Sequence, residues 1–163
     1  MSGLGNTVSG DRYGSEINIS AVIPRESLLL HKGGNMENHF KTHGAFSWTE
    51  LMTTDPESAK KFYSDLFGWE LEEYSMEGMT YTVVKAAGQE MGGIMAIPPE
   101  AQGAPPNWGT YVTVDNVDDT VKTAQKLGAI ILMEPRDIPD VGRFAIIQDP
   151  QGAILSVITY KEM

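Results

Sequence analysis

Five short stretches hold residue types that could do chemistry. In "FSWTELMT" the alternation of a strand places Phe46, Trp48, Glu50 and Met52 on one face. A carboxylate among aromatic and apolar neighbours is desolvated, so its pKa rises and it can serve as general base or acid. Glu50 is therefore the candidate catalytic residue. It could instead be structural, accepting hydrogen bonds from nearby backbone or from Tyr111 and fixing the shape of its surroundings. The same alternation groups Gly109, Tyr111 and Thr113 in "GTYVTV", and Ile154, Ser156 and Ile158 in "AILSVI". Arg143 opens "GRFAIIQDP", sharing a face with Ala145 while Phe144 and Ile146 take the other. Its guanidinium suits a bidentate contact to an anionic ligand group, or a structural pair with Asp140 or Asp149. His39 and His43 are spaced as on one helix face in "HFKTH", yet no apolar helical stripe surrounds them.

A repeat positions these residues. "WTELMTTDPESAKKFYSDLFGWEL" from Trp48 can be laid over "GTYVTVDNVDDTVKTAQKLGAIIL" from Gly109, an offset of 61 residues. In the first half, Phe46 to Thr53 reads as a strand, Asp55 caps a helix with Pro56 in its first turn, and Gly68 ends it. Ala59, Phe62, Tyr63 and Leu66 form one apolar stripe along that helix. In the second, Asn116 caps a helix whose stripe is Val117, Val121 and Ala124, closed by Gly128, with Asp118 and Asp119 at its positive end. Three strands are expected after each helix: Trp69 to Tyr74, Thr80 to Ala86 and Gly92 to Ile97, then Ala129 to Glu134, Arg143 to Gln148 and Ala153 to Tyr160. The fold class is thus α+β, two tandem βαβββ modules at 44–97 and 109–161, with a Pro- and Gly-rich linker at 98–108. Two half-units that each expose an apolar sheet face are expected to pair. The offset of 61 carries Met95 onto Ser156.

"DPESAKKFYSDLFGWEL" together with "GRFAIIQDPQGAILSVI" resembles the vicinal oxygen chelate superfamily, which includes glyoxalase I, bleomycin and fosfomycin resistance proteins and extradiol dioxygenases. The resemblance spans about residues 44 to 161 and implies curled mixed sheets around a cleft. In the metal-dependent enzymes of that family, histidine and glutamate ligands sit on the first and last strands of each module. Those places fall here at Trp48, near Met95, at Gly109 and at Ser156, none a usual ligand for a divalent ion. No metal and no cofactor is expected, and glyoxalase I chemistry is disfavoured.

If Trp48 and Ser156 face the cleft, the lining is aromatic and aliphatic with few polar groups, as suits a small organic ligand. The expected ligand-binding set is Trp48, Glu50, Met95, Gly109, Tyr111, Arg143 and Ser156, with Gly109 leaving space beside the Trp48 ring. Phe46 and Ile154 are expected to pack in the core. The reading that follows is a metal-independent small-molecule-binding protein. Alternatives are a metal-free lyase, isomerase or hydrolase using Glu50 with Tyr111 or Ser156, and a structural or regulatory dimer. A homodimer follows by family analogy alone.

Bulk properties narrow the partners. The 163 residues, 41% of them hydrophobic, suit one compact domain. A formal charge of -10 opposes binding to nucleic acid or to an anionic membrane. The absence of cysteine removes disulfides and thiolate chemistry and suits the cytoplasm. Residues 1–43 lack sustained apolar periodicity and read as a polar leader. Met36 follows Lys32-Gly33-Gly34, codons for which can spell a bacterial ribosome-binding signal, so residues 1–35 are a candidate translated upstream region.

Overall fold

The computed structural model describes residues 39–76 and 79–161. The expectations for residues 1–38, including a start at Met36, lie outside the described residues. In chain order the elements are β1 (Phe46–Thr53), α1 (Pro56–Phe67), β2 (Glu70–Met76), β3 (Met79–Ala86) and β4 (Gln89–Ala96), then β5 (Asn107–Thr113), α2 (Val117–Lys126), β6 (Ile130–Ile138), β7 (Gly142–Gln148) and β8 (Ile154–Tyr160). A 3-10 turn at Pro99–Ala101 lies in the linker, whose last two expected residues, Asn107 and Trp108, already belong to β5.

The caps act as their chemistry dictates. Asp55 Oδ1 accepts from the Ser58 amide at 3.0 Å, and Gly68 ends α1 in a left-handed conformation with its N–H on the Ser64 carbonyl. Asn116 accepts from the Asp119 amide at 3.0 Å and starts α2.

The strands form one curled, mixed sheet of eight, ordered β2-β3-β4-β1-β5-β8-β7-β6. Within each module the first strand runs parallel to the last, β1 beside β4 and β5 beside β8. The two modules join through antiparallel pairing of β1 with β5. One sheet face carries both helices. Leu51, Val84 and Ile94 pack beneath α1 with Ala59 and Tyr63, while Ala145 and Val157 pack beneath Val117 and Val121 of α2. Strand alternation turns the intervening residues to the other face, which carries no helix among the described residues.

Three local expectations need correction. The α1 stripe is rotated: Phe62 and Leu66 are 58% and 56% exposed, whereas Lys60 is 6% exposed. Lys60 lays its methylene stem over the sheet and holds its ammonium 2.5 Å from both Glu57 and Glu73. Strand β6 continues past Pro135 to Ile138, because it is an edge strand with register shifts on either side of Met133, where a missing N–H is tolerated. Phe46 and Ile154 are largely exposed rather than packed in the core.

No helix among the described residues is long and apolar enough to cross a membrane. The inverted stripe predicts a measurable contrast in urea unfolding. Removing the fully buried Ile94 side chain in Ile94→Ala should lower stability by about 3 kcal/mol. Phe62→Ser, on the expected but exposed stripe, should change it by no more than about 0.5 kcal/mol when measured at a protein concentration low enough to keep the chain monomeric.

Candidate functional site

The helix-free face brings Glu50 to the centre of a hydrogen-bonded chain. On β5, Tyr111 Oη donates to Glu50 Oε1 at 3.0 Å. From β3, the Tyr81 hydroxyl also bonds to Glu50, and it accepts from Trp48 Nε1 at 2.8 Å. On β8, Ser156 lies beside Tyr111 in the ladder, and its hydroxyl bonds to the Tyr111 oxygen. The chain thus runs from Ser156 through Tyr111 to the carboxylate and back through Tyr81 to Trp48. Phe144 lies 6.3 Å from the Tyr111 ring.

The electrostatics follow from burial. Desolvation raises the Glu50 pKa, and the two phenol hydrogen bonds oppose that rise without cancelling it. Tyr81 and Tyr111 are pushed well above the ordinary phenol value, first by desolvation and then by the Glu50 charge. They act as hydrogen-bond donors throughout the accessible pH range.

A glycine makes this arrangement possible. Gly93 stands opposite Glu50 in the β1–β4 ladder, and a Cβ there would lie 2.0 Å from the Tyr81 hydroxyl oxygen. The bare backbone lets Tyr81 lean across β4 to reach β1. Neither Tyr81 nor Gly93 stands out in the sequence as a site residue. The available signal was the glycine pair in "GGIMAI", since glycine inside a strand marks a close approach.

Trp48, Glu50, Tyr111 and Ser156 are brought together, with Gly109 opposite Glu50. Trp48 is opposite Tyr111 instead, so the space left by Gly109 is beside the carboxylate and not beside the indole. Met95 is on the same face, paired with Met52 and Tyr81, one step along β4 from Gly93. Arg143 does not join them. Its parity puts it on the helix-bearing face with Ala145, where it binds Asp118 through Nε at 2.7 Å and Nη2 at 2.9 Å, and Asp137 through Nη1 at 3.1 Å. Its partners are these two residues, not Asp140 or Asp149.

The repeat also shifts in its last strand. Tyr111 follows Glu50 by 61 residues, but the ladder partners Ser156 and Gly93 are 63 apart. The counterpart of Ser156 is therefore Gly93 rather than Met95. A bulge at Ser47 has a similar effect on β1: Phe46 pairs with Val112 of the helix-bearing face, while Ser47 Oγ contacts the Tyr160 hydroxyl at 2.9 Å.

One end of this face is covered by residues 39–45. Thr113 Oγ1 donates to the His39 carbonyl at 2.7 Å, and Phe40 packs against Tyr160 and Trp48 with ring centroids 5.0 and 6.5 Å apart. A recess of about 540 Å³ opens beside Phe40, Thr113 and Tyr160. His43 sits 3.1 Å from Asp115 and does not meet His39 in a ligand set.

The family model described as Glyoxalase/Bleomycin resistance protein/Dioxygenase superfamily matches residues 45–157. The chain belongs to this superfamily. "Putative glyoxylase CFP32" of Mycobacterium tuberculosis is 42% identical over 131 residues, covering 78% of this chain and 48% of the relative. "Anthracycline biosynthesis protein DnrV" of Streptomyces peucetius is 28% identical over 127 residues, covering 70% of this chain and 46% of that protein. The chain spans about half the length of the curated relatives it matches. Methylmalonyl-CoA epimerase of Mycobacterium tuberculosis shares the fold with a TM-score of 0.55 and 16% identity, over 73% of this chain and 89% of its own. A homoprotocatechuate 2,3-dioxygenase variant from B. fuscum does so with a TM-score of 0.51 and 18% identity, over 71% and 32%.

The places that the family resemblance assigns to metal ligands fall at Trp48, near Met95, at Gly109 and at Ser156, with Gly93 as the ladder counterpart of Ser156. They offer one indole, one thioether, bare backbone and one neutral hydroxyl. Among the described residues no three His, Asp or Glu side chains stand close enough to share an ion. This donor set does not fit a divalent metal held by three protein ligands.

Because the folded-state pKa of Glu50 is raised, its contribution to stability is fully present below the ordinary value of 4.5 and is lost as pH rises through the folded pKa. Stability of the wild type relative to Glu50→Gln should therefore fall as pH rises from about 4.5. Tyr81→Phe removes a donor to the charged form and should raise the Glu50 pKa further. Gly93→Ala should act in the same direction by displacing Tyr81. Carbon-13 NMR titration of the glutamate carboxyls measures the two pKa shifts, and urea unfolding at a series of pH values measures the stability difference.

Proposed function

We propose that this chain is a small-molecule-binding protein of the superfamily that holds an aromatic or amphipathic ligand on the helix-free face without a resident metal ion. The observation carrying this reading is the Glu50 cluster. One carboxylate is hydrogen-bonded to two phenols and set among Trp48, Tyr81, Tyr111 and Phe144, on the strands where the superfamily's enzymes keep their metal. Aromatic walls with a few convergent polar groups are the usual make-up of a small-molecule site. The 540 Å³ recess at Phe40 and Tyr160 adjoins this face and is lined by none of Trp48, Glu50, Tyr81 or Tyr111, so the ligand's place rests on the cluster itself.

A second reading is favoured by the raised pKa of Glu50. A carboxyl tuned upward and wired through Tyr111 to Ser156 can take or return a proton. The reaction would be a proton transfer or addition without Lewis-acid assistance, in a lyase, isomerase or hydrolase. Native mass spectrometry of protein purified without a histidine tag, followed by extraction of the carried molecules, separates the readings. A binder should yield the same compound repeatedly and return it unchanged after incubation. An enzyme should convert the compound, and Glu50→Gln should stop the conversion. Stoichiometric zinc, nickel, iron or manganese in that preparation would overturn the metal-free reading.

Assembly as a homodimer belongs to the same proposal, and the exposed apolar side chains of Phe62, Leu66 and Phe67 on α1 favour it. Light scattering after size-exclusion chromatography should give twice the 17.8 kDa chain mass. The doubly polar variant F62S/L66S should shift that mass toward the single chain.

A further inference from the structure

Glu50 is a carboxylate in search of a counter-charge. The groups that face it are Tyr81 from β3, Tyr111 from β5 and Tyr160 from β8, while β4 contributes only Gly93 and Met95 beside it. Among the described residues none of these is cationic. Of the described basic side chains, Lys60 is held by Glu57 and Glu73, Lys85 by Glu72 and Glu90, and Arg143 by Asp118 and Asp137 on the opposite face, while Lys41 is exposed beside Phe40 at the covered end. Both phenol hydrogens are directed into the carboxylate, and both phenol oxygens accept from a further donor, Trp48 or Ser156. The chain as a whole carries a formal charge of -10.

We propose that the site takes a ligand bearing a cationic group, a protonated or quaternary amine on an aromatic or aliphatic body, with its charge placed against Glu50 among Trp48, Tyr81 and Tyr111. This deepens the small-molecule-binding reading and rests on it. A cation is the ligand charge that both the carboxylate and the electron-rich rings attract. An anionic group would meet a buried negative charge with no basic side chain among the described residues hydrogen-bonded to it. A neutral ligand would leave the carboxylate as poorly compensated as before. The net acidic chain adds a long-range field of the right sign for cation capture.

The seated cation also supplies what Glu50 needs to stay ionised, so binding and deprotonation are linked. When Glu50 starts protonated, binding releases its proton to solvent. The three tyrosines facing it do not titrate in the same range, since burial raises each of them.

The test uses benzyltrimethylammonium, its neutral isostere neopentylbenzene, and phenylacetate as the anionic comparison. Binding is followed at the indole N–H resonance of Trp48 in the full-length protein, within the solubility of each probe. The cation should bind at least about tenfold more tightly than the neutral isostere, and phenylacetate more weakly than either. Below the Glu50 pKa, affinity for the cation should fall about tenfold per pH unit while that for neopentylbenzene stays constant. Glu50→Gln should remove the preference for the cation over the neutral probe, and the wild-type pH series gives the same answer without any variant. Equal binding of cation and isostere, or tighter binding of phenylacetate, overturns the cation proposal and leaves the small-molecule reading standing. No response to any probe also overturns it, and the compounds carried through purification then decide the broader reading by themselves.

Discussion

The Tyr111 to Glu50 hydrogen bond is the interaction on which the geometry of the site turns, because it crosses the seam between the two modules. Strands β1 and β5 are the only elements through which the repeats pair in the sheet ladder. Each supplies one side of this bond. Repeat symmetry relates the two residues, since Tyr111 follows Glu50 by the same 61 residues that separate the helix caps Asp55 and Asn116. A duplicated position has thus diverged into a charged acceptor and a neutral donor that bind one another. The buried carboxylate would otherwise face an aromatic lining with no donor, at a cost that phenol hydrogens offset only in part.

Much of this was legible from period and punctuation. The helix caps, the strand order within a module and the alternation that groups Trp48 with Glu50 all follow from local chemistry, which tertiary packing did not override. What escaped had a common character. Alternation reports parity, so it detects a slip of one residue and is blind to a slip of two. The extra two residues in the second module moved the partner of Ser156 from Met95 to Gly93 without disturbing any apolar pattern. The bulge at Ser47 is the converse case: one inserted residue flips Phe46, yet the sequence carries no turn residue to mark it.

Other misses came from side-chain length. Lys60 counts as polar in a helical pattern, but its stem is long enough to cover sheet while its ammonium reaches two carboxylates at the edge. The apolar stripe read from Phe62 and Leu66 was therefore displaced toward solvent. Tyr81 belongs to a different strand from the residues it organises, and only the missing side chain of Gly93 admits its hydroxyl between them. Contacts of this kind depend on which strands are neighbours, and that information lies in the sheet order rather than in any one segment. Arg143 shows the opposite situation, in which parity was read correctly and its consequence was not drawn. A residue on the face of Ala145 must point toward α2, where Asp118 waits at the helix start.

The metal-free reading proposed for this chain gives the same positions a common physical role. A divalent ion needs several ligands converging from the first and last strands of both modules, and a single replacement leaves it weakly held. Here none of the places that the resemblance assigns to ligands holds a carboxylate or an imidazole, and their occupants are related in space. Gly93 admits Tyr81, Trp48 donates to that same Tyr81, Ser156 bonds to Tyr111, and Gly109 leaves room opposite Glu50. Each of these residues serves the carboxylate two residues along β1 from Trp48. On the proposed reading the polar focus lies one step along that strand and carries the opposite charge to a metal ion, an anion that attracts ligand donors rather than a cation that attracts ligand oxygens. The sheet tolerates that difference because both residues lie on the same face of β1, so no change of register or packing beneath the helices is required.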